Sequence, residues 1–162
     1  MRSLLSFPNP VNEVAARLVA AGVVVLCSLV VALGWTWLLA PIAIGFIARV
    51  ASGPRFSPLA LLVTRVIVPR LGVAPRYVAG PPKRFAQGIG AVLATSAAVL
   101  AIGFGLDGAA RVVAAAIVIA ATLESAFGFC IGCRLFSALM RVGLVPESVC
   151  IDCASIGARQ PA

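Results

Sequence analysis

Apolar residues fill the chain in long blocks separated by short polar or proline-rich stretches, and the block lengths set the elements they predict. Residues 18–48 carry no charge, a run of 31 positions. As one helix it would extend roughly 46 Å, against a hydrocarbon core of about 30 Å. A hairpin near Gly34-Trp35-Thr36-Trp37 removes the mismatch. Gly34 suits a turn, Trp35 and Trp37 suit the headgroup level, and Arg17 and Arg49 return to one side. One very tilted helix and a cleaved signal peptide are the alternatives. Asn9-Pro10 reads as a cap followed by proline at the first helical position.

Two later blocks complete the pattern. Residues 86–106 give a third span rich in Gly and Ala, which permit close helix approach and mark it as interior. After the turn at Asp107-Gly108, residues 109–130 give a fourth, with Arg111 near its start and able to snorkel outward. With 14–33 and 35–51, the expected fold class is all-α, an integral membrane four-helix bundle. Residues 1–143 form its membrane domain, and 144–162 a cysteine-containing tail that is at best partly ordered.

Composition agrees with lipid as the main solvent: 62% of the 162 residues are hydrophobic and 11% charged, too few charges for a water-facing surface. The net charge of +8 does not indicate nucleic acid, because the cations flank the apolar blocks and form no basic stripe with interleaved aromatics. Seven of the thirteen basic residues lie in 49–85, with no acidic one. That segment is therefore the expected cytoplasmic loop, with both termini on the same side of the plasma membrane. Within it, residues 59–68 form a helix too short to span, stopped by Pro69 and lying in the interface. Arg55, Arg65 and Arg70 then reach anionic headgroups; a solvated connector is the other reading.

Chemistry concentrates in the last third. The chain has no histidine and five cysteines, so histidine-based catalysis and ligation are excluded. Cys27 lies alone in an apolar run and reads as a small buried hydrophobe. Cys130/Cys133 and Cys150/Cys153 make C-x2-C-x16-C-x2-C, which fits a dithiol or sulfur relay, a four-cysteine zinc or iron site, or thiols with structural roles only. A helix restarting after Gly128 would put Cys130 near a helical N-terminus, where thiolate is favoured; a straight helix would leave both thiols desolvated. Glu124 is an intramembrane carboxyl and a functional candidate. On a straight helix, six residues place it about 120° around and about 9 Å along the axis from Cys130. Thr95, Ser96 or protonation by burial is then its expected partner.

The motifs Asn9-Pro10, Ala15-Ala16-Arg17, Gly53-Pro54-Arg55-Phe56-Ser57-Pro58-Leu59, Lys83-Arg84-Phe85-Ala86-Gln87 and Phe127-Gly128-Phe129-Cys130-Ile131-Gly132-Cys133 carry a resemblance. Over about residues 5–140 the chain resembles a bacterial family of small membrane proteins classed as a domain of unknown function. More loosely, it is similar to four-helix membrane proteins of the DoxX and methylamine-utilisation types. That likeness implies thiol redox or sulfur metabolism by analogy of fold. The Cys150/Cys153 tail falls outside the resemblance, which weighs against a four-ligand zinc site as a family feature.

Three functions follow as expectations. In the first, Cys130 attacks, Cys133 resolves, and Cys150/Cys153 exchange electrons with a soluble thioredoxin-like or rhodanese-like partner. In the second, the four cysteines hold a structural zinc in a membrane scaffold or assembly subunit. The third is a small transporter that uses Glu124 and the glycine-rich third helix.

Overall fold

A computed structural model describes residues 9–150; Cys153 and Arg159 lie outside them. Asn12 caps α1 (Glu13–Leu33), its Oδ1 accepting from the amides of Val14 and Ala15 at 3.0 and 3.5 Å. The expected cap, Asn9, instead accepts from the Gly80 amide at 2.9 Å. A two-residue antiparallel pair, β1 (Val11–Asn12) with β2 (Tyr77–Val78), holds this lead against the later chain.

The hairpin forms where the apolar run requires it. α1 is closed by Gly34 at φ 72, a short turn follows over Thr36–Leu38, and α2 (Leu39–Ser52) runs back. The guanidinium of Arg111 lies against Gly34 at this turn.

After Gly53–Arg55 the chain forms α3 (Pro58–Leu62), a π-helical stretch (Val63–Ile67) and α4 (Val68–Leu71). Pro69 does not stop the helix as expected. Proline cannot donate to the carbonyl four residues back, and the wider π turn just before it accommodates the lost bond. The buried side chains of this segment, Ala60 and Val63, pack on Ala15 and Val19 of α1. Arg55, Arg65 and Arg70 stay exposed.

α5 (Gly80–Ala98) starts earlier than the apolar block indicates, because Pro81 and Pro82 fall in its first turn, where no amide donor is needed. It continues as a π stretch (Val99–Gly103). α6 (Asp107–Phe127) ends three residues before the expected boundary, and α7 (Ile131–Arg141) follows.

α1 packs along α6 and α2 along α5, with α5 also touching α6 and α7. The core is built mostly from small side chains, among them Ala43, Ala94, Ala97, Ala101, Ala110 and Ala114, around Val30, Leu39 and Cys27. Cys27 is wholly buried there, as the sequence indicates. Small residues let the backbones approach, the usual source of cohesion between helices in lipid.

Large apolar side chains point outward from every long helix, for example Val25, Ile44, Val92 and Ile119. Among the described residues, four helical runs are long and apolar enough to cross a membrane: Glu13–Leu33, Thr36–Leu71, Gly80–Gly103 and Asp107–Phe127. The outward apolar surface is what lipid would solvate and water would not.

Candidate functional site

The break between α6 and α7 builds the site. Gly128 is left-handed at φ 66, a conformation that costs a residue with a Cβ roughly 1–2 kcal/mol. Its amide and that of Phe129 return to Glu124 O and Leu123 O, each at 3.0 Å. Arg17 of α1 covers the neighbouring carbonyls, Nε donating to Ser125 O at 3.2 Å and Nη2 to Ala126 O at 2.8 Å. A cation there also complements the negative end of the α6 dipole.

Cys130 is the N-cap of α7, and its Sγ accepts from the Cys133 amide at 3.4 Å. Of the two arrangements compatible with the sequence, the restarted helix is the one observed. Gly132 then lies flush on α5: a Cβ there would stand 2.5 Å from Ala86 Cβ and 2.6 Å from its Cα. Phe136 stacks obliquely on Phe85 with centroids 5.6 Å apart. These contacts hold the dithiol over the first turns of α5.

α5 supplies the charge. Lys83 Nζ lies 2.7 Å from Glu124 Oε1, both side chains largely buried. Thr95 and Ser96, the expected partners of Glu124, are exposed; the early start of α5 is what brings Lys83 within reach. One turn on, Gln87 Oε1 accepts from Arg49 Nε at 2.9 Å, while Arg49 Nη1 donates to Ser57 Oγ at 3.1 Å. Arg49, Gln87, Glu124 and Cys130 share the wall of a cavity of about 200 Å³. The straight-helix separation of Glu124 from Cys130 therefore does not hold, because the chain turns at Gly128.

The two thiols are not equivalent. Hydrogen bonding from the Cys133 thiol is the largest influence on Cys130 and, with the Lys83 cation and the Cys133 amide, draws it below the ordinary thiol range despite burial and the Glu124 charge. Cys133 is pushed far up, by donating that hydrogen bond, by burial and by the neighbouring Cys130 charge. Both are free thiols. The arrangement matches an attacking thiolate beside a protonated second thiol.

Cys150, in the turn Glu147–Cys150, is buried and disulfide-bonded. It has no thiolate to offer a metal in this state, and no group of three or more metal-ligating side chains occurs among the described residues. Cys153 falls outside them.

The sequence places Arg17 and Arg49 on one side and Lys83 and Gln87 within a motif, but gives none of the four a role in the site. The signal was present in the spacing: Lys83 and Gln87 precede Gly90, Ala94, Ala97 and Ala101 on one helical stripe. The buried members of that stripe are its alanines and Lys83 itself. Polar residues at the head of a buried stripe must be partnered.

A family model, Domain of unknown function (DUF4395), matches residues 11–141. The protein belongs to the DUF4395 family. The match spans all four candidate spans and α7, and so the Cys130/Cys133 pair, and it stops before Cys150. No curated protein and no solved structure matches this DUF4395 chain.

Proposed function

We propose that this is a bacterial plasma-membrane protein that runs thiol–disulfide exchange at the basic end of its helix bundle, facing the cytoplasm. The observation that carries the reading is Cys130 at the N-cap of α7, accepting from the Cys133 amide with the Lys83 cation close by. Helix N-termini and nearby cations stabilise thiolate. The basic loop between α2 and α5 supports the cytoplasmic assignment, as does the looser DoxX-like resemblance for the chemistry.

The Cys130 thiolate attacks one sulfur of a substrate disulfide; a Cys130–substrate bond forms, the substrate S–S bond breaks, and one substrate thiolate leaves. The Cys133 thiol then gives up its proton and attacks Cys130 Sγ, releasing the second substrate thiolate. The protein dithiol is oxidised by two electrons and the substrate disulfide is reduced by two. A soluble thioredoxin-like or rhodanese-like protein would return the electrons, through Cys150 and Cys153 of the tail that follows the membrane domain.

Thiol trapping against a dithiothreitol redox series, read by mass spectrometry, tests this. Cys130 and Cys133 should oxidise together to one intramolecular disulfide, and Cys130→Ser should leave Cys133 reduced. If both cysteines stay reduced across the whole series, the proposal fails.

A further inference from the structure

The buried charges around Cys130 do not cancel. Lys83 and Glu124 form an ion pair. Arg49 is 6% exposed, yet its hydrogen-bond acceptors, Gln87 Oε1 and Ser57 Oγ, are both neutral. Its third contact is the face of Phe46, 4.3 Å from Cζ. Two cations thus stand against one carboxylate, a surplus of one positive charge withdrawn from water. A buried ion whose hydrogen-bond partners are all neutral is costly, and this one, with Glu124 the charge that acts on it, borders the cavity that also holds Cys130.

The remaining polar groups of that wall are mostly donors. Gln87 commits its carbonyl oxygen to Arg49, which leaves its amide N–H groups to face other partners. Glu124 is the only carboxylate in the wall, and its Oε1 is engaged by Lys83. The rest of the lining is chiefly apolar, including Phe46, Leu93 and Ile117. A largely apolar cavity with a buried guanidinium whose acceptors are neutral, and an amide beside it, has the chemistry of an anion receptor.

We propose that this cavity binds one compact monoanion, of carboxylate or hydrosulfide size, through Arg49 and Gln87, with the anion seated beside Cys130 Sγ. The inference rests on the thiol reading above: the anion is the charged group of the small disulfide that Cys130 attacks. The Cys130 thiolate can itself supply the missing charge, so anion binding and Cys130 ionisation compete. The charged or titratable groups that act on Cys130 are Lys83 from α5, Glu124 from α6 and Cys133 from α7, with Arg49 of α2 on the same cavity wall.

The test uses purified full-length protein carrying Cys130→Ser, which removes the competing thiolate. Its thermal unfolding is followed against sodium formate and sodium thiocyanate, with ionic strength held by gluconate. A saturable rise in Tm is expected, lost when Arg49→Gln is added. Formate alone saturating identifies a carboxylate group, thiocyanate alone a sulfur monoanion, and both the general monoanion site; all three support the proposal. If Arg49→Gln does not fold, Arg49→Lys serves, with saturation retained at about tenfold weaker affinity, since the charge survives without the planar fork. A linear Tm response, equal with and without Arg49, overturns the inference. That outcome with normal cycling of Cys130 and Cys133 removes only the anion site, whereas saturable binding in a protein whose thiols never oxidise removes only the redox reading.

Discussion

Cys130 owes its chemical character to its position at a chain reversal, with the Cys133 thiol and amide on one side and Lys83 on the other. A group whose pKa is lowered is ionised at pH values above the lowered one. Its reactivity should therefore persist as pH falls below the ordinary thiol value of about 8.5, and decline only through the depressed one. Cys133, raised, should stay protonated through that whole window. Iodoacetamide labelling resolved by mass spectrometry between pH 5 and 9 should show Cys130 reacting first and with the lower midpoint. Two coincident profiles centred near 8.5 would remove the asymmetry. By the same linkage, the thiolate contributes stability above the unfolded thiol value, and this is lost as pH falls through the folded one. The Lys83–Glu124 pair makes a second residue-scale prediction. Breaking a buried pair costs about 3–5 kcal/mol because an unpaired charge remains, whereas replacing both partners by apolar groups is close to neutral. Lys83→Met should lower Tm markedly and slow Cys130 labelling at pH 7 by about tenfold, as expected for loss of a nearby cation. Adding Glu124→Leu should restore most of the Tm and, because the Glu124 charge opposes the thiolate, the labelling rate as well.

At the scale of elements, α7 determines whether Cys130 faces the cavity, and its seat depends on Gly132 lying against Ala86. Gly132→Ala introduces a Cβ where backbone stands, and overpacking of this kind costs about 1–3 kcal/mol. Labelling of Cys133 should rise several-fold as α7 lifts, with helix content by circular dichroism nearly unchanged; a Gly132→Ala protein that labels like the parent would show that α7 has another seat. The existence of four long apolar helices was legible because hydropathy responds to run length, and the Gly34 turn was legible because 31 uncharged residues exceed one span. The ends of the elements were not. Pro81 and Pro82 look like irregular chain ahead of the helix and in fact occupy its first turn, Pro69 looks like a stop and is absorbed by a π turn, and Gly128 was compatible with either a straight or a broken helix. Those three boundaries position Lys83, the α3–α4 segment and Cys130, so the membrane class could be read from sequence while the polar cluster could not. Glu124 illustrates the consequence: its partner lies 41 residues away in sequence, in a turn that the proline rule places outside the helix.

For the whole molecule, the distribution of charge is the organising fact. The start of α1, the end of α2, the start of α5 and the end of α6 meet at one end of the bundle, where Arg17, Arg49, Lys83 and Arg84 lie. Arg84 Nε donates to Val50 O at 3.1 Å and closes the α2 terminus there. The loop carrying Arg55, Arg65 and Arg70 and the helix α7 with Arg134 and Arg141 belong to the same end. At the opposite end, the turns at 34–38 and 104–106 have no cation in their own sequence, and Arg111, one turn into α6, places its guanidinium against Gly34. The proposed orientation rests on this asymmetry, because lysine and arginine in short loops are retained on the cytoplasmic side. In a background with all five cysteines changed to serine, Arg70→Cys should resist a membrane-impermeant maleimide in intact cells and label after permeabilisation. Asp107→Cys should label from outside without permeabilisation. The reverse pattern would put Cys130 on the oxidising side of the membrane, where no cytoplasmic thioredoxin-like protein could reach it, and would overturn the direction of electron flow proposed above even if the disulfide itself forms.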